Sequence, residues 1–363
     1  MRPGFPTNYA SILERINQID PVAYGKSRNY LNGAVTYLSP YISRGVISTR
    51  QILDAVLAKG YKVREIESFV KELCWRDYFQ RVGQYKDLNV DIRFPQTDVA
   101  SHGIPTALLQ GQTGVVAVDQ SIQVLYETGY MHNHARMYTA SIVCNVAKSY
   151  WKNPSQWMYY HLLDGDWASN TCSWQWVAAA NSSKKYFANQ ENINKFAGTN
   201  QRGTFLDKSY EELATMDVPN VLFGSETFQL NSSLPQIAEI EVNTKLPTYV
   251  YNYYNLDPLW HKYEVGNRIL LLEPAIFKQF PVSEKCIDFV LALSHNIPNV
   301  QVYAGSFQSL INHCGKSQMH FKEHPLNRHY KGVEEPRDWI ASEVDGYFPS
   351  FFGYWKKVEK CLR

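Results

Sequence analysis

The chain has 363 residues, of which 45% are hydrophobic and 19% charged, and its formal net charge is +2. This length allows two domains with a core each, and the near-neutral charge excludes a polyanion-binding surface over the whole chain, so a nucleic-acid site would be a local patch. No apolar run reaches the ~20 residues of a membrane span, and the first residues lack a signal-peptide core. Six cysteines without a CxxC pair predict reduced thiols and a cytoplasmic location.

The predicted elements divide the chain into a helical half and a mixed half. Apolar residues recur at helical spacing throughout the first half, whereas glycines and prolines interrupt residues 201 to 240. Strand-like and helical runs alternate after that, which predicts a small parallel α/β unit. The fold class is therefore α + α/β: a helical domain at 1–205, a linker at 206–243 and an α/β domain at 244–363. The predicted helices lie at 47–58, 65–82, 116–128, 132–151, 154–163, 283–295 and 306–314, and the strands at 248–254, 268–272 and 300–304.

The first motif combines Tyr24 and Arg28 with the hydroxyl-rich segment 36–48. Small hydroxyl side chains, Gly45 and the start of a helix can hold a phosphate through backbone N–H groups and the helix dipole. Serine and threonine before a helix are more often simple N-caps. Both interpretations stay open at this point.

The second motif lies at residues 69–78. Glu72, Trp75 and Arg76 follow one another at i, i+3 and i+4, so they share one helix face. One interpretation is a Glu–Arg pair beside a core tryptophan. The other is the wall of a cavity, in which the indole stacks on a planar ligand and the carboxylate hydrogen-bonds it.

The third motif, residues 128–137, places Asn133, Arg136 and Met137 on one helix face. His132 and His134 lie two residues apart, whereas two metal ligands on a helix are expected at i and i+4. The sequence therefore predicts no metal site. Arg136 has two interpretations, a plain salt bridge or a bidentate pair with an acid over an aromatic ring.

The densest motif is residues 162–176, which hold two acids, an amide and three tryptophans. Asp166, Asn170 and Trp174 are spaced i, i+4 and i+8, so on a helix they share one face. A carboxylate, an amide and an indole facing the same way suit a large aromatic redox ligand such as a flavin. Tryptophans in series are usually core residues or anchors, but in a flavin protein they also pass electrons, and Trp151 lies just upstream.

In this order, the four motifs resemble the helical flavin-binding domain of the DNA photolyase/cryptochrome family over about residues 20–195. The resemblance implies a U-shaped FAD with its phosphates at residues 36–39, an Arg–Asp pair beneath the flavin, Asp166 at the ring edge and Asn170 facing flavin N5. Phe69 stands where a tryptophan is common. The implied FAD contacts are Tyr24, Arg28, Thr36, Tyr37, Leu38, Ser39, Phe69, Arg136, Asp164, Asp166 and Asn170.

The resemblance also implies a substrate, the cyclobutane pyrimidine dimer, flipped out of damaged DNA. Asn170 is typical of the class I repair enzymes, whereas plant cryptochromes have an acid there. Asn133 stands where enzymes acting on (6-4) lesions have a histidine, and His134 replaces an arginine that helps to hold DNA. The implied substrate and DNA contacts are Glu72, Trp75, Arg76, Asn133, His134, Met137 and Trp176.

The implied activity is light-driven repair, in which excited reduced FAD lends an electron to the dimer. The catalytic residues would be Glu72, Asn170, Trp174 and Trp151. The two tryptophans match two members of the family's photoreduction chain. The third tryptophan of that chain has no counterpart around Asp98. A tyrosine would take its place, or the electrons would leave by another route. The alternatives are a cryptochrome-like blue-light sensor and a nucleic-acid binder without a cofactor.

The family normally begins with an α/β antenna domain, whereas here the α/β pattern follows the helical one. The resemblance therefore implies a permuted domain order, with a reduced antenna-type domain and a place for a second chromophore of unspecified identity. The alternative is an unrelated α/β appendage, because such folds recur with many functions. No oligomeric state is predicted.

Overall fold

The computed structural model describes residues 4–227, 229–236 and 239–362. Phe228, Ile237 and Ala238 of the predicted linker lie outside these ranges. Within them, no helix combines the length and the hydropathy that crossing a bilayer requires.

Helices and strands are numbered in chain order. The helices are α1 (Tyr9–Asn17), α2 (Pro21–Ser27), α3 (Ser39–Ser43), α4 (Thr49–Leu57), α5 (Glu67–Tyr85), α6 (Thr106–Leu109), α7 (Val116–Thr128), α8 (Asn133–Ser141), α9 (Lys152–His161), α10 (Trp167–Val177), α11 (Gln190–Ala197), α12 (Tyr210–Thr215), α13 (Pro274–Gln279), α14 (Glu284–Ser294), α15 (Phe307–Cys314) and α16 (Phe351–Cys361). The strands are β1 (Ile104–Pro105), β2 (Ser225–Glu226), β3 (Thr248–Tyr251), β4 (Asn267–Leu271), β5 (Val300–Tyr303), β6 (Met319–Lys322) and β7 (Val333–Glu335).

Two compact units alternate along the chain. The first is formed mainly by Asp20–Val35 and Tyr85–Gln229, and the second by Phe5–Ile19, Thr36–Gln84 and Leu230–Arg363. This division rests on which residues contact one another in space. The boundaries predicted at residues 205 and 244 rest on changes in sequence composition, and they stay a prediction.

The first unit is mainly helical and has an extensive core that includes Trp151, Trp157 and Trp174. Part of the predicted linker is built into this unit, because Leu213 of α12 and Leu222 belong to the same core. A capping box at the start of α12 explains why a helix forms in a segment that otherwise reads as linker.

The helix predicted at residues 132–151 ends early. α8 continues into a π-helical turn at Ile142–Val146, and the backbone then leaves the helix at Lys148, whose φ is 55°. A left-handed residue cannot continue a right-handed helix. Trp151 is therefore the N-cap of α9 instead of the last residue of a long helix.

The second unit contains a parallel sheet with the strand order β5-β4-β3-β6-β7. This order is that of a doubly wound α/β fold, so the predicted parallel α/β architecture is confirmed. The strands β3, β4 and β5 match the predicted ones, but β6, β7 and α16 were not predicted. β7 has three residues, too few to show a clear alternation.

The two faces of this sheet differ. Val250 and Phe321 belong to a core cluster that includes residues of α15. Successive residues of a strand face opposite sides, so Tyr249 and His320, which pair in register, share the other face. The connection between β3 and β4 covers that face, since the ring of His261 stacks on Tyr249 with centroids 4.3 Å apart.

The second unit also includes the predicted phosphate segment. Arg44, which follows α3, is fully buried, and its guanidinium lies 3.6 Å from the ring centroid of Tyr253. The backbone N–H of Leu256 donates to the carbonyl of Arg44 at 2.9 Å. These contacts explain why residues 36–84 belong to the same unit as the α/β segment.

Candidate functional site

A sharp turn between α9 and α10 carries the two acids of the densest motif. Its central residue, Gly165, has no room for a side chain, because a Cβ there would lie 2.9 Å from two carbonyl oxygens of the preceding turn. Asp166 is the N-cap of α10, and its Oδ1 accepts a hydrogen bond from the N–H of Ser169 at 2.7 Å. The turn thereby holds Asp164 and Asp166 on either side of a glycine that cannot be replaced without movement.

We expect Gly165→Ala to lower the free energy of unfolding by about 1–3 kcal/mol, the usual effect of forcing atoms into a packed site. Urea denaturation followed by circular dichroism measures this change. The control is Gly353→Ala on α16, where the nearest atom is a serine hydroxyl 3.4 Å from the added Cβ. An unchanged midpoint for Gly165→Ala would contradict the tight turn.

Arg136 on α8 forms a buried ion pair with Asp164. Its Nη2 donates to both carboxylate oxygens, at 2.9 and 2.8 Å, and its Nε donates to the carbonyl of Met131 at 2.8 Å. The side chains of Arg136 and Asp164 are 21% and 4% exposed. The pair anticipated from the sequence is thus present, with its guanidinium held at two nitrogens. Its position beneath a flavin stays a prediction.

α10 presents Asn170 between Asp166 and Trp174, as the spacing predicts. The Nδ2 group of Asn170 donates to the carbonyl of Ser155 at 2.9 Å. This bond orients the carboxamide and leaves its Oδ1 as an acceptor. An amide held in this way can accept a hydrogen bond from a ring N–H, but it has no acidic proton to transfer.

Trp151 and Trp174 both lie in the core of the first unit. The Nε1 of Trp151 donates to Asp91 Oδ1 at 2.6 Å, and the hydroxyl of Tyr150 donates to the same oxygen at 2.9 Å. The rings of Tyr150 and Trp151 lie 5.5 Å apart, and Tyr150 is partly exposed. The sequence analysis looked for a third electron-relay residue around Asp98 and did not consider Tyr150. Its signal in the sequence is that it is an aromatic residue directly before Trp151.

His134 lies among aromatic rings at the start of α8. Its Nδ1 lies 2.6 Å from the carbonyl of Asn29, and its ring centroid is 4.7 Å from those of Tyr138 and Phe196. Burial lowers the pKa of His134. A contact between His134 and DNA stays a prediction.

Tyr24 and Arg28 lie within and directly after α2, and both are partly exposed. The contact between Asn29 and His134 brings this segment to the start of α8.

The predicted site residues are divided between the two units. Those of the first unit are Tyr24, Arg28, Asn133, His134, Arg136, Met137, Trp151, Asp164, Asp166, Asn170, Trp174 and Trp176. Those of the second unit are Thr36, Tyr37, Leu38, Ser39, Phe69, Glu72, Trp75 and Arg76.

In the second unit, α5 carries Glu72, Trp75 and Arg76, as predicted. The indole of Trp75 is stacked on the ring of Phe351, with centroids 3.8 Å apart and planes 9° from parallel. α16 therefore covers one face of Trp75, and a ligand could stack only on the other face. Arg76 donates through Nη2 to the hydroxyl of Ser43, at the end of α3.

The phosphate segment forms the short helix α3, which follows Tyr37 with a φ of 53°. Leu38 at the N-cap provides no side-chain cap for the first turn. Ser48 instead caps α4, because its hydroxyl accepts from the N–H of Gln51 at 2.9 Å. The simple capping interpretation thus holds for Ser48. In the first turn of α3, Pro40 has no N–H and the N–H of Tyr41 donates to the carbonyl of Leu38 at 3.0 Å, so phosphate binding at this turn stays a prediction. Phe69 is buried.

Known proteins match this chain over the same region. The family model for the FAD binding domain of DNA photolyase matches residues 69–254, just over half of the chain. The deoxyribodipyrimidine photo-lyase of Alkalihalophilus pseudofirmus is 31% identical over 183 residues, which are 48% of this chain and 38% of that protein. The photo-lyase of Synechococcus sp. is 30% identical over 223 residues, covering 56% and 45%.

Among solved structures, a bacterial class III photolyase from Agrobacterium tumefaciens matches with a TM-score of 0.46 and 25% identity, covering 53% of this chain and 43% of that one. The chain spans less than half the length of each of these three proteins. The family model nevertheless includes α5, α8, α10 and the turn at Gly165, which carry most of the residues described above. The chain therefore belongs to the DNA photolyase/cryptochrome family.

Proposed function

We propose that this protein is a deoxyribodipyrimidine photo-lyase, which binds reduced FAD and splits cyclobutane pyrimidine dimers in damaged DNA with light. The observation that supports this proposal best is the fixed carboxamide of Asn170, held by Ser155 on the helix that starts at Asp166. An acid at this position would protonate and deprotonate with the redox state of the ring. An amide keeps one hydrogen-bonding pattern and so favours an anionic reduced flavin.

The residues of the first unit fit a reduced flavin. Asn170 Oδ1 is an acceptor suited to a ring N–H, and Arg136 supplies a positive charge that Asp164 holds in place. The hydroxyl of Ser169, one residue before Asn170, is buried without a hydrogen-bond partner among the described residues. A buried polar group is normally hydrogen-bonded, so a polar ligand atom would account for it.

FAD, when bound in its reduced form and excited by light, supplies the electron that opens the dimer and receives it back. The task of the chain is to orient and bind. The hydrogen bond to Ser155 fixes the orientation of the Asn170 carboxamide. The hydrogen bonds to Asp164 fix the position of the Arg136 guanidinium. Because the cofactor carries the redox step, the residues contribute geometry and electrostatics.

Binding of the lesion would use exposed aromatic and amide side chains. Trp176 is 39% exposed and offers an indole face on which a base can stack, and the amide of Asn133 is exposed for a base edge. Flipping a dimer costs less than flipping a normal base, because the damaged bases pair poorly.

The decisive experiment illuminates anaerobically photoreduced protein with an oligonucleotide that contains a thymine dimer. Appearance of thymine monomers would support repair. Their absence while FAD remains bound and reduced would exclude it. A flavin photocycle without dimer binding would support the light-sensor alternative, and a colourless purified protein would support a nucleic-acid binder without cofactor.

Glu72 is the residue proposed to hydrogen-bond the dimer while it carries the extra electron. We expect Glu72→Ala to slow splitting roughly 10- to 100-fold, the equivalent of a charged hydrogen bond of about 1.5–3 kcal/mol, with unchanged FAD content. Single-turnover repair at saturating DNA measures this rate. The matched control is Glu67→Ala on the same helix, whose carboxylate pairs with Lys71. Equal rates for Glu72→Ala and the unmodified protein would remove Glu72 from the mechanism.

Two further parts of the proposal concern the second chromophore and the location. The carboxyl edge of a doubly wound sheet is where such folds bind ligands, so an antenna pigment would bind there. An absorption band beyond those of flavin in the purified protein tests it. We also propose a cytoplasmic location. The cysteines support it, because none of the six forms a disulfide.

A further inference from the structure

His261, His320 and Glu335 form a cluster on the sheet face opposite the α15 core. His320 lies on β6 and Glu335 at the end of β7, while His261 comes from the connection between β3 and β4. The Nε2 of His261 lies 2.8 and 3.0 Å from the two oxygens of Glu335, and the Nδ1 of His320 lies 3.0 Å from one of them. All three candidate ligand atoms lie within 4.8 Å of one another.

Neighbouring side chains hold this cluster in place. Glu264 accepts hydrogen bonds from the hydroxyl of Tyr249 at 2.7 Å and from the Nδ1 of His261 at 2.7 Å. Trp260 donates through Nε1 to Glu335 at 2.8 Å. A carboxylate on the far nitrogen of a histidine is the arrangement that orients an imidazole toward a metal ion.

Both ring nitrogens of His261 face carboxylate oxygens, at Glu264 and Glu335. A metal ion bound by the Nε2 of His261 would lie beside the Glu335 oxygens that this nitrogen faces, while Glu264 orients the ring through Nδ1. His261 also has a φ of 48°, a strained conformation for a residue other than glycine.

We propose that His261, His320 and Glu335 bind a divalent transition metal ion of the zinc type. Two imidazole nitrogens and one carboxylate oxygen form a known zinc ligand set, which leaves the fourth tetrahedral position to water. Imidazole ligands disfavour magnesium and calcium, which prefer oxygen. Ligand atoms about 2.0–2.2 Å from one ion lie roughly 3.3 Å apart, so the three atoms, which lie within 4.8 Å of one another, would move closer together around a bound ion.

The three side chains are partly buried, with 18%, 18% and 24% of their surface exposed. The site is thus accessible to an ion from solvent but is framed by the rings of Tyr249 and Trp260. It uses none of the residues proposed to bind FAD or DNA, so this inference stands apart from the repair function.

The test uses the full chain without an affinity tag, stripped with a chelator and titrated with Zn²⁺ by calorimetry. We expect one ion per chain at this site and a rise in the melting temperature with zinc, since a ligand that binds only the folded state stabilises it. Co²⁺ added in place of Zn²⁺ should give visible absorption bands typical of four-coordinate cobalt. Failure of the unmodified protein to bind either ion would overturn the proposal.

Variants of the proposed ligands distinguish zinc binding at this site from zinc binding elsewhere on the chain. His320→Ala and Glu335→Gln should abolish the bound ion, and Glu264→Ala should weaken binding roughly 10- to 100-fold, as loss of an orienting partner does. Glu335→Gln is nearly isosteric, so it tests the charge without opening a cavity. The matched control is His329→Ala, because His329 pairs with a single carboxylate, that of Glu273, at 2.9 Å. Binding that persists unchanged in His320→Ala and Glu335→Gln would assign the metal to another site.

Discussion

Asp164→Asn is expected to lower the free energy of unfolding by about 3–5 kcal/mol, the usual cost of removing one partner from a buried ion pair. The reason is that Asp164 is 4% exposed and accepts two hydrogen bonds from one guanidinium nitrogen of Arg136. Without the carboxylate, the charge of Arg136 would remain in a largely dry environment. Because this pair is proposed to lie beneath the flavin, we also expect the variant to lose FAD during purification.

Urea denaturation and the flavin absorbance of the purified protein measure these two effects. The control is Asp98→Asn, which breaks the ion pair between Asp98 and Lys185. That pair has an N···O distance of 2.8 Å, equal to the shorter Arg136–Asp164 contact, but the Asp98 side chain is 69% exposed. An exposed pair contributes little to stability, so the two variants should differ clearly. Similar small losses for both would show that the Arg136–Asp164 pair is solvated. Loss of stability with full retention of FAD would separate the pair from the cofactor site.

Trp151→Phe is expected to slow photoreduction of the flavin by roughly tenfold or more, since an increase of about 1.4 kcal/mol in the barrier already has that effect. The substitution removes an easily oxidised indole and its hydrogen bond to Asp91. The control is Trp157→Phe, because Trp157 lies in the same core at 1% exposure and is not part of the predicted relay. Equal photoreduction rates in the two variants would contradict a relay through Trp151.

Tyr150→Phe extends the same experiment. Its hydroxyl donates to Asp91, next to the indole of Trp151, so oxidation of Tyr150 can pass its proton to that carboxylate. Burial, together with the hydrogen bond to Asp91, raises the pKa of Tyr150 to about 12, which keeps the phenol protonated before oxidation. We expect slower photoreduction in Tyr150→Phe but normal dimer splitting once FAD is reduced chemically. A defect that persists after chemical reduction would place the effect outside electron supply.

Local spacing predicted the parts of the site that lie on single elements. Asp166, Asn170 and Trp174 follow the repeat of one helix, and hydrogen bonds within the backbone impose that repeat whatever surrounds it. The strands β3, β4 and β5 were predicted from the β-branched and aromatic residues that they carry. The end of the helix after α8 was missed, since a left-handed backbone at Lys148 leaves no pattern in the side chains.

The amino-acid sequence by itself determined the family, the helical flavin-type motifs and the parallel α/β character of the second half. Only the tertiary structure decided that Phe351 covers Trp75, that Tyr150 and Trp151 share Asp91, and that two histidines meet Glu335. These contacts join residues from different elements. Their formation depends on strand register, on the path of connections and on which faces are buried together, none of which follows from local periodicity.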